Sequence, residues 1–250
     1  MIETQEYRNA LVVRMAHGKA NTLDLEFCRA FVAEIERLER AGAPAFILTG
    51  RDSVFSAGVD LRRVIEGGGP YVREFLPVMS RAFEALFLYR GPVVAAINGH
   101  AIAGGCILAC GADRRLIARG PGRIGVPELL VGVPFPASVI EMVRFVAAPE
   151  RFAELVYGGA TFSNEEACSR GLADCVVDGG DLMDQALSAL ERLTAVPRRS
   201  FELAKRQLRN PALQQWHMTA GALDREVVEA WAAPETLAAV RAYVAKTLKK

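Results

Sequence analysis

One unit occurs twice in this 250-residue chain, and it restricts the possible folds more than any other feature. It is a short apolar strand, a turn of small residues and a helix start. The first copy spans residues 46–61, from Phe46-Ile47-Leu48 to Phe55-Ser56-Ala57-Gly58-Val59-Asp60-Leu61. The second spans 93–108, from Val93-Val94-Ala95-Ala96-Ile97 through Asn98-Gly99-His100 to Ala103-Gly104-Gly105-Cys106. Short apolar runs bounded by turn residues read as buried strands, and strands alternating with helices build a parallel sheet. The alternation continues to about residue 180, and only helical patterns follow. The expectation is an α/β core domain over 1–195 and a helical region over 196–250.

Other segments fill in that outline. Residues 7–15 read as a strand, and 24–41 as a helix whose Phe27, Phe31, Ile35 and Leu38 share one face. Gly42 and Pro44 end it. A brief helix after Gly58 is expected to break at Gly67-Gly68-Gly69-Pro70, before a longer one through Phe83 and Phe87. Residues 116–118 and 123–125 read as strands. Ser163 and Glu166 have capping-box spacing, and Pro234 suits the first turn of a terminal helix through Val240, Val244 and Leu248.

Charge and motif content exclude several classes. Lys+Arg number 30 against 29 Asp+Glu, so neither nucleic acid nor a membrane surface is an expected partner. The N-terminus carries no basic segment followed by an apolar one, and no run of ~18 apolar residues occurs. The five cysteines form no C-x-x-C pair, which fits reduced thiols in a cytoplasmic protein. His17, His100 and His217 are isolated, so no metal site is expected. Residues 99–105 do not match G-x-G-x-x-G, and neither a Walker A nor a G-x-S-x-G elbow is present.

The two small-residue turns carry the chemistry. The first backbone N–H groups of a helix lack intrahelical acceptors, and glycine lets a ligand approach them closely. Two such turns on neighbouring strands could aim two donors at one oxygen, the arrangement that stabilises a thioester enolate. Alternatively, the glycines serve only tight turns and close packing. Asp60 is better placed to cap a helix than to catalyse. Glu128, after Pro127, is either a solvated loop residue or a carboxylate able to shuttle a proton.

In order and spacing the chain resembles the crotonase (enoyl-CoA hydratase/isomerase) superfamily from about residue 7 to its C-terminus. The matching motifs are Lys19-Ala20-Asn21-Thr22-Leu23, residues 55–61, Ala95–Gly99 with Ala103–Cys106, Pro127-Glu128-Leu129-Leu130-Val131-Gly132, and residues 163–174. The resemblance implies a crotonase-like spiral of ββα units with a C-terminal helical trimerisation region, assembled as a homotrimer or hexamer. Trp216 and Trp231 are expected to bury apolar surface in that assembly. It implies an acyl-CoA thioester as substrate, with no metal or redox cofactor.

The same resemblance assigns the site residues. Oxyanion donors would be the N–H groups of Val59 and Gly104, and Glu128 the catalytic acid/base. Lys19, Ala20, Ala57, Gly58, Asp60, Leu61, Gly105 and Pro127 would border the substrate and its CoA, with a neighbouring subunit's Lys-rich terminal helix approaching it. Residues 67–71 and 134–138 are expected to border the acyl pocket. Hydratases of the superfamily carry a second glutamate where this chain has Ile107. That departure favours a 3-enoyl to 2-enoyl isomerase; a hydratase and a non-catalytic acyl-CoA binder are the alternatives.

Overall fold

The apolar runs form two sheets whose connections create the repeated unit, as seen in a computed structural model describing residues 1–247. In chain order the elements are β1 (Ile2–Tyr7), β2 (Ala10–Met15), α1 (Leu25–Arg40), β3 (Phe46–Thr49), β4 (Val54–Ser56), α2 (Leu61–Leu88), β5 (Val93–Ile97) and β6 (His100–Ile102). Then come α3 (Gly104–Cys110), β7 (Arg114–Ala118), β8 (Ile124–Gly125), α4 (Glu128–Val131), α5 (Ala137–Val146), α6 (Phe152–Gly158) and β9 (Thr161–Phe162). The chain continues with α7 (Asn164–Ser169), β10 (Cys175–Val177), α8 (Leu182–Thr194), α9 (Arg198–Ala232) and α10 (Pro234–Thr247). The expected position Leu248 lies outside the described residues.

The larger sheet has the order β1-β2-β3-β5-β7-β10, parallel except for the β1–β2 hairpin. The smaller sheet has the order β4-β6-β8-β9, with β4, β6 and β8 parallel. Strand β5 shows why a continuous apolar run was required. Its Val93, Ala95 and Ile97 enter the main core, whereas Val94 and Ala96 face Leu182, Ala186 and Leu190 of α8. A strand covered on both faces cannot alternate apolar with polar residues.

One sequence expectation is corrected. Residues 7–15 are not one strand: the chain reverses at Arg8, whose φ is 53°, so Tyr7 belongs to β1. The break expected at Gly67–Pro70 is present inside α2. It kinks α2 at Gly68 (φ 58°, ψ −155°), and Pro70 begins the second segment, where its missing N–H costs little. The other caps follow the residue types. Asp24 Oδ1 accepts the Phe27 N–H at 2.7 Å, and Ser163 and Glu166 form the reciprocal box.

The helical C-terminal region packs on this core instead of standing apart. Trp216, Val227, Trp231, Leu237 and Val240 share one apolar cluster with the strands. Polar contacts fix α9 as well. Asp113 accepts Lys205 Nζ at 2.7 Å through Oδ2 and Arg209 Nη2 at 2.7 Å through Oδ1, with both cations buried. Removing one partner of a buried ionic cluster strands the others. Asp113→Ala is therefore expected to lower unfolding free energy by about 3–5 kcal/mol, read by urea denaturation. A loss below about 1 kcal/mol, the range of exposed pairs, would show that the cluster does not anchor α9.

Candidate active site

Three neighbouring parallel strands, β4, β6 and β8, each run toward the same end of the sheet and each hand over to a helix there. Their turns therefore converge: Ala57-Gly58 before α2, Ala103 before α3, and Pro127 before α4. The Ala103 N–H donates to Gly125 O at 2.8 Å, tying the second turn to the third strand.

Gly58 permits the first two turns to touch. Its φ is +82°, and a Cβ there would lie 2.6 Å from Ile102 O, 2.7 Å from Ala103 Cβ and 3.1 Å from Gly104 N. Any side chain would wedge the turns apart and cover the Gly104 nitrogen. Gly105 has a packing task, since a Cβ there would meet Ser56 O at 2.3 Å. Ala103 takes φ 53°, ψ −127°, a conformation that costs a non-glycine residue about 1–3 kcal/mol. Strain of that size is held by the surrounding hydrogen bonds.

The Val59 and Gly104 N–H groups have no acceptor among the described residues. Leu23 bridges to Val59 by donating to Gly58 O and accepting from Asp60, which leaves the Val59 N–H directed away from that ladder. Gly104 begins α3, so its N–H precedes the intrahelical series.

A cavity of about 540 Å³ opens in front of these turns. Lys19, Ala20, Ala57, Val59, Asp60, Leu61, Pro127 and Glu128 line it, which places most of the sequence-assigned residues around one space. Gly58, Gly104 and Gly105 lie in the adjoining turns without lining it. Asp60 caps α2, accepting the Arg62 and Arg63 N–H groups at 3.0 and 3.1 Å.

Among the described residues that line the cavity, Glu128 is the only acid apart from that cap. It is 8% exposed, and its Oε2 is buried with no partner among the described residues. Burial raises its carboxyl to about 8, opposed in part by a hydrogen bond from its own backbone N–H. The one-turn helix α4 holds it, with Val133 N–H donating to Glu128 O at 3.1 Å and Gly132 closing the turn at φ 91°. Ile107 is fully buried in the apolar core. His100 Nδ1 accepts the Arg123 N–H at 3.3 Å and does not line the cavity.

Two expectations about the surroundings change. No residue of 67–71 or 134–138 lines the cavity; Val131, Val133, Trp231 and Tyr243 do, because α10 lies over α4 and α2. Trp216 and Trp231 are 5% and 2% exposed within the single chain, so neither offers a free subunit surface. Tyr243 and Thr247 of the chain's own α10 also line the cavity. Lys246 stands in the last turn of α10, and Lys249 and Lys250 lie outside the described residues. Nothing local in the sequence marks Trp231 or Tyr243, which reach the site only through the return of α9 and α10 across the core.

Comparison with known proteins bears on the family and the fold. A family model described as enoyl-CoA hydratase/isomerase matches residues 5–247. The mitochondrial enoyl-CoA delta isomerase 1 of Rattus norvegicus is 30% identical over 216 residues, covering 84% of this chain and 73% of that protein. The crystal structure of human mitochondrial delta3-delta2-enoyl-CoA isomerase superposes with a TM-score of 0.93 at 24% identity, covering 99% of this chain and 98% of that one. An enoyl-CoA hydratase from Bacillus halodurans superposes with a TM-score of 0.83 at 21% identity, covering 96% and 99%. One fold thus serves proteins of both descriptions.

Proposed function

Because the chain belongs to the enoyl-CoA hydratase/isomerase family, within the crotonase superfamily, we propose that it is an enoyl-CoA isomerase moving a double bond from position 3 to position 2 of an acyl-CoA thioester. The observation carrying this reading is the buried Glu128 carboxylate, whose Oε2 has no partner among the described residues, beside two turns whose N–H groups have no acceptor there, while Ile107 keeps the nearby α3 position apolar.

The proton balance is simple. The Glu128 carboxylate removes a proton from C2 of the 3-enoyl thioester. The electron pair delocalises over C2–C4 and the thioester oxygen, where the Val59 and Gly104 N–H groups donate to the developing charge. Glu128 then returns the proton to C4, leaving the double bond between C2 and C3. One base suffices because it gives back what it took. Hydration additionally needs a positioned and activated water, work that two carboxylates divide. Lys19 and Arg62 supply positive charge at the cavity for the CoA phosphates, and the reaction calls for no cofactor beyond the CoA that the substrate carries.

The test is incubation with 3-enoyl- and 2-enoyl-CoA, separating isomer from 3-hydroxyacyl product. The expected outcome is interconversion of the isomers with little water addition. Efficient hydration of 2-enoyl-CoA would make the protein a hydratase instead, and binding without turnover would leave an acyl-CoA-binding role.

The proposed assembly is a homotrimer or hexamer. With both tryptophans committed internally, Leu203, Leu208, Met218 and Leu223 are exposed apolar residues that α9 offers to it. Light scattering at micromolar concentration should give a trimer mass or its double. A stable monomer would refute this assembly.

A further inference from the structure

The cavity is chemically two-sided. Lys19, Thr22, Asp60 and Arg62 come from the 18–22 loop and the start of α2, whereas Val131, Val133 and Trp231 come from α4, the chain just after it, and the end of α9. A thioester oxygen at the glycine turns, with its reacting carbons at Glu128, directs the polar CoA arm toward the first group. The second group is left for the acyl tail.

Trp231 differs from the other apolar walls in how it is held. Its Nε1–H donates to Pro134 O at 2.8 Å, and the ring is nearly sealed from solvent. Pro134 follows Val133, whose N–H donates to Glu128 O, so the indole is tied to the segment that carries the carboxylate. Behind it, Ala232 O lies 3.3 Å from where a Cβ on Gly69 would stand, so α2 blocks retreat of the backbone. A leucine or methionine wall could change rotamer to admit a longer chain. An indole with a bonded N–H and a blocked backbone cannot do so without losing that bond and its packing.

We propose that Trp231 is the specificity-determining wall of the acyl pocket, restricting the enzyme to short and medium acyl groups and excluding long ones. This rests on the acyl-CoA reading above and deepens it by naming the substrate class and the residue that sets it. It also fits a space of about 540 Å³ that must hold part of the CoA arm together with the tail.

The test compares kcat/KM for 3-hexenoyl-, 3-decenoyl- and 3-hexadecenoyl-CoA in the unmodified protein, Trp231→Ala and Trp231→Phe. The ratio for hexadecenoyl over hexenoyl should rise about tenfold or more in Trp231→Ala, chiefly through KM, since removing a wall changes tail binding at the scale of a few methylenes. Trp231→Phe, smaller by one ring, should fall between and serves if the alanine variant does not fold. An unmodified protein that uses hexadecenoyl-CoA as well as hexenoyl-CoA overturns the proposal, and so does an unchanged ratio in a folded variant. Calorimetric affinities for saturated hexanoyl- and hexadecanoyl-CoA read the same wall without turnover. Loss of the isomerase reading would therefore appear as absent conversion with the length preference intact.

Discussion

Glu128→Gln is expected to lower conversion of 3-enoyl-CoA by at least 100-fold, the lower end of what a positioned general base contributes. Gln keeps the shape of the side chain but cannot accept and return a proton. Binding of the thioester should change little, because the backbone donors and most of the cavity lining are untouched. Single-turnover rates alongside acyl-CoA affinity separate the two effects. Full activity in this variant would move the base elsewhere.

The same substitution has a signature in pH. With its carboxyl raised to about 8, Glu128 is about one-tenth ionised at pH 7 in the free protein, so kcat/KM should climb as pH rises through about 8. The stability effect has the opposite sense. The folded protein keeps a proton that the unfolded chain releases near the ordinary value of 4.5, so the group's favourable contribution is fully present below that value and lost as pH rises through about 8. Glu128→Gln should therefore be more stable than the unmodified protein above pH 8, by an amount on the order of a few kcal/mol. Denaturation midpoints at pH 6 and pH 9 check this, and a difference independent of pH would show that burial does not raise the carboxyl.

Gly104→Pro should reduce turnover roughly 100- to 1,000-fold, the range for losing one oxyanion-hole donor. Proline fits the first helical position by its φ, but it deletes the N–H proposed to face the thioester oxygen. Gly104→Ala supplies the steric control. Its Cβ would lie 2.9 Å from Leu23 Cδ2, a side-chain end that can shift, and its N–H remains. A large loss confined to the proline variant, with both proteins folded by circular dichroism, assigns the effect to the donor. Near-normal turnover by folded Gly104→Pro would remove Gly104 from the site.

Much of this protein was legible in one dimension because the relevant information is local. The apolar run Val93–Ile97 specifies a strand buried on both faces, Asp24 and Ser163 specify helix starts, and the spacing from Phe27 to Leu38 specifies one buried stripe. The duplicated strand-turn-helix unit pointed to two backbone donors. The structure sets their turns side by side, since β4 and β6 are adjacent and parallel.

Tertiary structure decided what depends on distant segments meeting. The burial of Glu128, and with it the raised carboxyl, comes from surroundings that its neighbours Pro127 and Leu129 do not reveal. Trp231 and Tyr243 lie more than a hundred residues beyond Glu128 in the chain, and they line its cavity only because α9 and α10 fold back over that end of the sheet. Their apolar and aromatic character suits a subunit interface as well as an internal wall. Residue type records that a side chain leaves water; which surface receives it is settled by the packing of the whole chain.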